Sequence, residues 1–177
     1  ILIFSLLVLS VVSLLEFFNM IKKIGKNYLY SFTLSFIFLI YIFSFSFLFF
    51  LFSNFLQLKI ILFILLTGCI ASDIGGYIIG KKFRGPKLTR ISPKKTISGS
   101  IGSLVFCSIT IPTIFYFFTN HISFYLIAVS FLTSVFCQLG DLLFSFLKRK
   151  ANLKDTGNFL PGHGGLLDRI DGILLGI

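Results

Sequence analysis

A chain of 177 residues with 56% hydrophobic and 12% charged residues, a mean hydropathy of +0.99 and a formal charge of +10 lies outside the range of soluble domains, in which about 25% of residues are charged. Long apolar runs, rather than segments of about ten residues with alternating polarity, exclude an outer-membrane barrel and predict an all-α, polytopic transmembrane helical bundle. The basic residues are gathered in a few loops instead of forming one face, which argues against a nucleic-acid partner.

The first apolar run covers residues 1–18 and starts at once, with no basic leader or cleavage site, so no signal peptide is predicted and the chain reads as a fragment. A basic loop, 20–28, leads to a second run at 29–53, long enough for a tilted span, with a broken or hairpin arrangement as the alternative. Further runs follow at 57–80, 98–119 and 122–147, separated by the loop 81–97 and a short connection at 120–121. After the loop 148–164 an incomplete run begins near residue 165. It is too short for the span of about 20 residues that a bilayer requires. The expectation is five complete spans plus the start of another, with at least one further helix missing. Cys69, Cys107 and Cys137 lie inside apolar runs without metal-site spacing and read as small buried hydrophobes.

If the runs alternate across the bilayer, one side collects Lys22, Lys23, Lys26, Lys81, Lys82, Arg84, Lys87, Arg90, Lys94, Lys95, Lys148, Arg149, Lys150, Lys154 and, close by, Arg169, while the other has Lys59. The basic loops are then cytoplasmic in an inner or plasma membrane, in contact with anionic lipid headgroups. A miscounted span would scatter these charges.

The acids follow a related pattern. Asp73 precedes Lys81 by eight residues and Asp141 precedes Lys148 by seven, which places them about 12 Å and 10 Å below the cytoplasmic loops at the helical rise. Asp168 and Asp171 open the last run from the same side, three residues apart and so on one helical face. Two readings fit these carboxylates: a site for a hard divalent cation beneath a basic, anion-binding rim, or ion pairs with neighbouring lysines and arginines. Asp155, beside Lys154, fits the second as well as the first. Gly162, Gly164 and Gly165, ahead of a helix start, either allow a phosphate to approach backbone amides or make a tight turn. His163 either orients a phosphate or is an ordinary loop histidine. The segment SPKKT, 92–96, presents Ser92, Lys94, Lys95 and Thr96 from a proline-fixed turn just before a span.

Residues 145–171, SFLKRKANLKDTGNFLPGHGGLLDRID, resemble the signature of the phosphatidate cytidylyltransferases, also called CDP-diacylglycerol synthases. The fixed positions of that pattern are met by Ser145, Lys148, Arg149, Lys154, Asp155, Gly157, Pro161, His163, Gly164, Gly165, Asp168, Arg169 and Asp171. SDIGGYIIGKK at 72–82, SPKKT at 92–96 and QLGDLLFS at 138–145 are similar to further family segments. The resemblance covers residues 57–177, which are read as the catalytic transmembrane domain with cytoplasmic loops 81–97 and 148–164; residues 1–56 are N-terminal transmembrane segments. The family commonly follows SPKKT with one residue and then Glu-Gly, whereas this chain has Ser98 and Gly99. No carboxylate role is carried to position 98.

The resemblance implies transfer of the cytidylyl group of CTP to phosphatidate, with magnesium. It makes Asp141 and Asp168 metal ligands, with Asp171 and Asp73 as further ligands or orienters. Lys148, Arg149, Lys154 and Arg169 then hold the triphosphate or the lipid phosphate, and Lys94 and Lys95 are candidates from the other loop. Ser92, Thr96, Ser145, Asp155, His163, Gly164 and Gly165 complete the substrate-binding set. Homodimers and a second, monovalent cation also come with the resemblance. The nearest rival is a CTP-dependent polyprenol or phytol kinase, which transfers a γ-phosphate. A more distant one is an ion-coupled transporter, which predicts acids near mid-membrane.

Overall fold

The computed structural model describes residues 2–25, 28–89, 91–92, 95–157, 159 and 164–177. Among the described residues six helices follow in order: α1 (Leu2–Ile24), α2 (Tyr28–Asn54), α3 (Leu56–Phe83), α4 (Ile97–Thr119), α5 (Tyr125–Lys150) and α6 (Leu167–Gly176). The first five are long and apolar enough to cross a membrane, with mean hydropathies of 1.8 to 2.5. The predicted second run is one continuous helix of 27 residues, about 40 Å long at the helical rise, so the hairpin alternative does not apply. α1, α3 and α5 overrun their predicted apolar limits at the basic ends. Their last turns carry Lys22 and Lys23, Lys81 and Lys82, and Lys148, Arg149 and Lys150. Lysine and arginine are good helix formers, and their charge is favourable at a helix C-terminus.

The chain divides into two compact units, Ile1–Phe55 with Leu143–Asp171, and Leu56–Leu142 with Gly172–Ile177. In the first, α1 packs on α2 through Phe17 and Phe38, whose rings stack at 4.0 Å, and Phe144 meets both edge-on. Ser10 and Ser46 join α1 to α2 by a hydroxyl–hydroxyl bond of 2.7 Å. Met20, Ile21 and Ile42 are fully buried around this seam, while Phe4 and Leu29 are among the large apolar residues left facing outward. Such an exposed apolar surface suits lipid.

In the second unit α3 and α4 approach backbone to backbone. A Cβ on Gly102 would stand 2.7 Å from the Gly75 carbonyl oxygen, and one on Gly75 the same distance from the Gly102 oxygen. Helices in lipid gain little hydrophobic drive from pairing with each other, so close packing of small residues takes its place. Interhelical hydrogen bonds add to it: Ser72 of α3 to Ser134 of α5 at 2.9 Å, and the Ser100 hydroxyl of α4 to Gln138 of α5. Ile64, Cys107 and Ile111 form a buried cluster. Cys69, Cys107 and Cys137 are buried free thiols, as expected. Thr96 caps the start of α4, its Oγ1 accepting from the Gly99 N–H at 3.1 Å, and Asn120 ends it in the left-handed region.

Candidate active site

The signature loop leaves α5 by a tight turn in which the Leu153 N–H donates to the Lys148 carbonyl at 2.8 Å. It returns to start α6 at Leu167. The two helix ends and the loop meet at Asp168. Its Oδ1 accepts from Lys148 Nζ at 2.6 Å, and its Oδ2 accepts from the Thr156 N–H, the Thr156 hydroxyl and the Gly165 N–H at 2.8, 3.1 and 3.2 Å. The last of these reaches back three residues to close the N-terminus of α6, as the acidic member of a capping box does. One turn on, the buried Asp171 carboxylate lies 4.0 Å from the same lysine nitrogen. Lys148 thus sits against both carboxylates that the i, i+3 spacing predicts to share a face.

Burial pushes the Asp168 carboxyl up, but the hydrogen bond from Lys148, the Thr156 and Gly165 amides and the lysine charge outweigh it. They hold Asp168 below the usual carboxylate range. It is therefore an anion at neutral pH, and the place beside its Oδ1 accepts a positive charge.

A third carboxylate enters from α1. Glu16 is 6% exposed and accepts from the Leu166 N–H at 3.0 Å, the Leu167 N–H at 2.9 Å and the Thr156 hydroxyl at 2.8 Å. The amides at the start of α6, offered by sequence to a phosphate, are in this structure donated to Glu16 and Asp168. The closeness of Gly165 to these groups explains the glycine. A Cβ there would overlap the Thr156 hydroxyl and stand 2.5 Å from Glu16 Oε2. Glu16 is not among the carboxylates that the sequence pattern singles out. Its signal was present, since it is the sole acid of the first two apolar runs, and an ionisable residue in a span is a functional candidate by default.

The other signature residues are spread around the loop. Ser145 is half-buried on α5, and Arg149, Lys154, Asp155 and Arg169 are exposed. Gly164 lies beside Asp155 and Asp168. Pro161, Gly162 and His163, like Lys94 of the SPKKT segment, lie outside the described residues.

In the second unit, the loop after α3 folds back on itself. Leu88 N–H donates to the Lys95 carbonyl at 2.8 Å, Ile97 N–H to the Pro86 carbonyl at 2.9 Å, and Lys95 N–H to the Ser92 carbonyl at 3.0 Å. Ser92 contributes its backbone to this turn, and the Thr96 hydroxyl is engaged at the α4 cap. Lys95 reaches Asp141 of α5 and pairs with it. Ser98, at the position where the family commonly has Glu, accepts from the Gly85 N–H at 3.2 Å and contacts the Thr96 hydroxyl at 3.1 Å. Asp73 lies on the exposed side of α3, 3.9 Å from the Cys137 sulfur. Among the described residues, no three His, Cys, Asp or Glu side chains come together as a metal cage. Asp141 contacts Lys95 and Asp168 contacts Lys148 in this structure.

The model of the cytidylyltransferase family matches residues 1–177. The chain belongs to the cytidylyltransferase family. Within that family it is 44% identical over 124 residues to the phosphatidate cytidylyltransferase of Rickettsia bellii, an alignment covering 63% of this chain and 53% of that protein. It is 43% identical over 114 residues to the enzyme of the same name from Mycobacterium leprae, covering 63% and 36%. For that of Staphylococcus haemolyticus the identity is 45% over 106 residues, covering 58% and 40%. The chain spans about half, or less, of the length of these relatives. In this cytidylyltransferase-family chain, carboxylate–lysine pairs tie down two of the three basic loops, Lys148 with Asp168 and Lys95 with Asp141.

Proposed function

We propose that the chain transfers the cytidylyl group of CTP to phosphatidate, giving CDP-diacylglycerol and pyrophosphate at the cytoplasmic face of the membrane. The observation that carries this reading is the Lys148, Asp168 and Asp171 cluster, built from the residues of the phosphatidate cytidylyltransferase signature. The names of the relatives and the sorting of basic residues into three loops support it.

In the reaction, a phosphate oxygen of phosphatidate attacks the α-phosphorus of CTP. A new P–O bond forms as the bond to the β-phosphate oxygen breaks, and pyrophosphate leaves with that electron pair. The lipid brings its own nucleophile, so the protein supplies no covalent group. Its task is to position two anions and neutralise the charge between them. Lys148, Arg149, Lys154 and Arg169 suit the phosphates, Arg through its planar fork and Lys as a point charge. Lys95 and Lys94 are proposed as further phosphate ligands from the other loop. In such a step Lys148 exchanges Asp168 for a phosphate oxygen.

The donor set fits magnesium. Asp168 and Asp171 present hard oxygen ligands, and the lysine ammonium against both supports a cation at this position. Asp168 and Asp171 would hold it, with Asp141 and Asp73 added on the resemblance alone; bound there, the ion would neutralise charge on the triphosphate.

The test is Asp168→Asn in the intact protein in its native membrane. The variant is expected to insert normally and to form no CDP-diacylglycerol from CTP and phosphatidate. Product at near the unmodified rate would remove Asp168 from the site.

A further inference from the structure

We propose that Glu16 of α1 is a positioning residue for the reaction, holding the signature loop and the start of α6 so that Asp168 keeps its orientation toward Lys148. The inference rests on the proposed cytidylyl transfer for its kinetic consequence and on geometry alone for its structural one.

The donors at the head of α6 are shared between two carboxylates. Asp168 takes the N–H groups of Thr156 and Gly165. Glu16 takes those of Leu166 and Leu167, one on each oxygen. The Thr156 hydroxyl lies between them, 2.8 Å from Glu16 Oε2 and 3.1 Å from Asp168 Oδ2, and a hydroxyl has one proton to give. The two acids are therefore linked through Thr156 and through consecutive amides. The chain makes room for this contact twice over, since a Cβ on Gly157 would stand 2.7 Å from Glu16 Oε1 and one on Gly165 2.5 Å from Oε2.

Glu16 is well placed to act as an anchor. It sits on a 23-residue helix beside Phe17, whose ring is fixed by stacking on Phe38. The loop it holds is irregular backbone. Without Glu16, the buried Leu167 N–H and the Leu166 N–H lose their acceptors at a helix terminus. Asp168, three residues from Gly165, is then the nearest carboxylate able to turn toward them. Turning would take its Oδ1 away from Lys148. Glu16 thus supports the Asp168 carboxylate through the backbone they share, and losing partners of this kind costs about 10- to 100-fold in metal affinity or activity.

The experiment compares Glu16→Gln and Glu16→Asp in the intact protein. Glutamine keeps one acceptor oxygen but turns an NH₂ toward an amide donor. Aspartate keeps both oxygens on a shorter stem. Turnover per folded molecule, with folding read from far-UV circular dichroism, is expected to fall about 10- to 100-fold in Glu16→Gln with little change in KM for CTP, and to recover partly in Glu16→Asp. Unchanged turnover, a loss confined to the yield of folded protein, or a loss carried by KM alone would overturn the proposal. A second readout does not depend on the reaction. Ala151 is buried where the loop leaves α5, and alkylation of Ala151→Cys is expected to quicken when Glu16→Gln is added. An unchanged alkylation rate would overturn the role of Glu16, whereas an unmodified protein that makes no CDP-diacylglycerol would overturn only the proposed reaction.

Discussion

Removing one charge from the Lys148–Asp168 pair should cost more than the intact pair contributes. The side chains are 13% and 10% exposed and 2.6 Å apart. Replacing one partner of a buried ion pair leaves the other uncompensated, at about 3–5 kcal/mol. Asp171 remains 4.0 Å from the lysine, so Asp168→Asn should fall near the lower limit, about 3 kcal/mol. Lys148→Met should cost a similar amount, because Asp168 keeps its amide donors but loses its cation. The double variant leaves no member of the pair charged, and the introduced asparagine side chain can still accept from Thr156 and Gly165. Its cost should therefore be about 3 kcal/mol rather than the sum of about 6. The assay is denaturant unfolding of the detergent-solubilised protein followed by far-UV circular dichroism. Additive single costs would show that the pair does not act as a unit, and the reasoning about the cluster would fail.

Other expectations follow from the same contacts. Because the Asp168 pKa is depressed on folding, its contribution is fully present above the unfolded carboxylate value of about 3.9 and is lost as pH falls through the folded value. Acid unfolding of Asp168→Asn should accordingly be less steep below about pH 4, and an unchanged acid limb would contradict the assignment. Gly102→Ala places a methyl group 2.7 Å from the Gly75 carbonyl oxygen and should cost about 1–3 kcal/mol by forcing α3 from α4, read as a lower thermal midpoint. Single cysteines at Lys87 and Lys150 should react with impermeant thiol reagents only from the cytoplasmic side; labelling from outside would reverse the topology.

The spans were legible because burial in lipid makes a run of apolar residues its own signal, independent of what each helix packs against. The helix ends were less so. The predicted apolar runs end short of the basic clusters, whereas the last turns of α1, α3 and α5 carry Lys22 and Lys23, Lys81 and Lys82, and Lys148, Arg149 and Lys150. Asp168, Asp171 and Lys148 were legible through a local pattern in which spacing places the first two on one face. Glu16 was not, because its partners Thr156, Leu166 and Leu167 lie 140 to 151 positions away, and no periodicity records such a contact. Gly165 shows the same limit. The sequence marks it as a close-approach position, but it does not record that Glu16 Oε2, from α1, stands 2.5 Å from where its Cβ would be.

The central claim is that CTP gives up its cytidylyl group to a lipid, and the position of the label decides it. With CTP labelled on the α-phosphate, the intact protein and phosphatidate should yield a labelled, extractable lipid, whereas CTP labelled on the γ-phosphate should leave all its label in pyrophosphate. Lipid labelled from the γ-phosphate alone would identify a kinase and contradict the account.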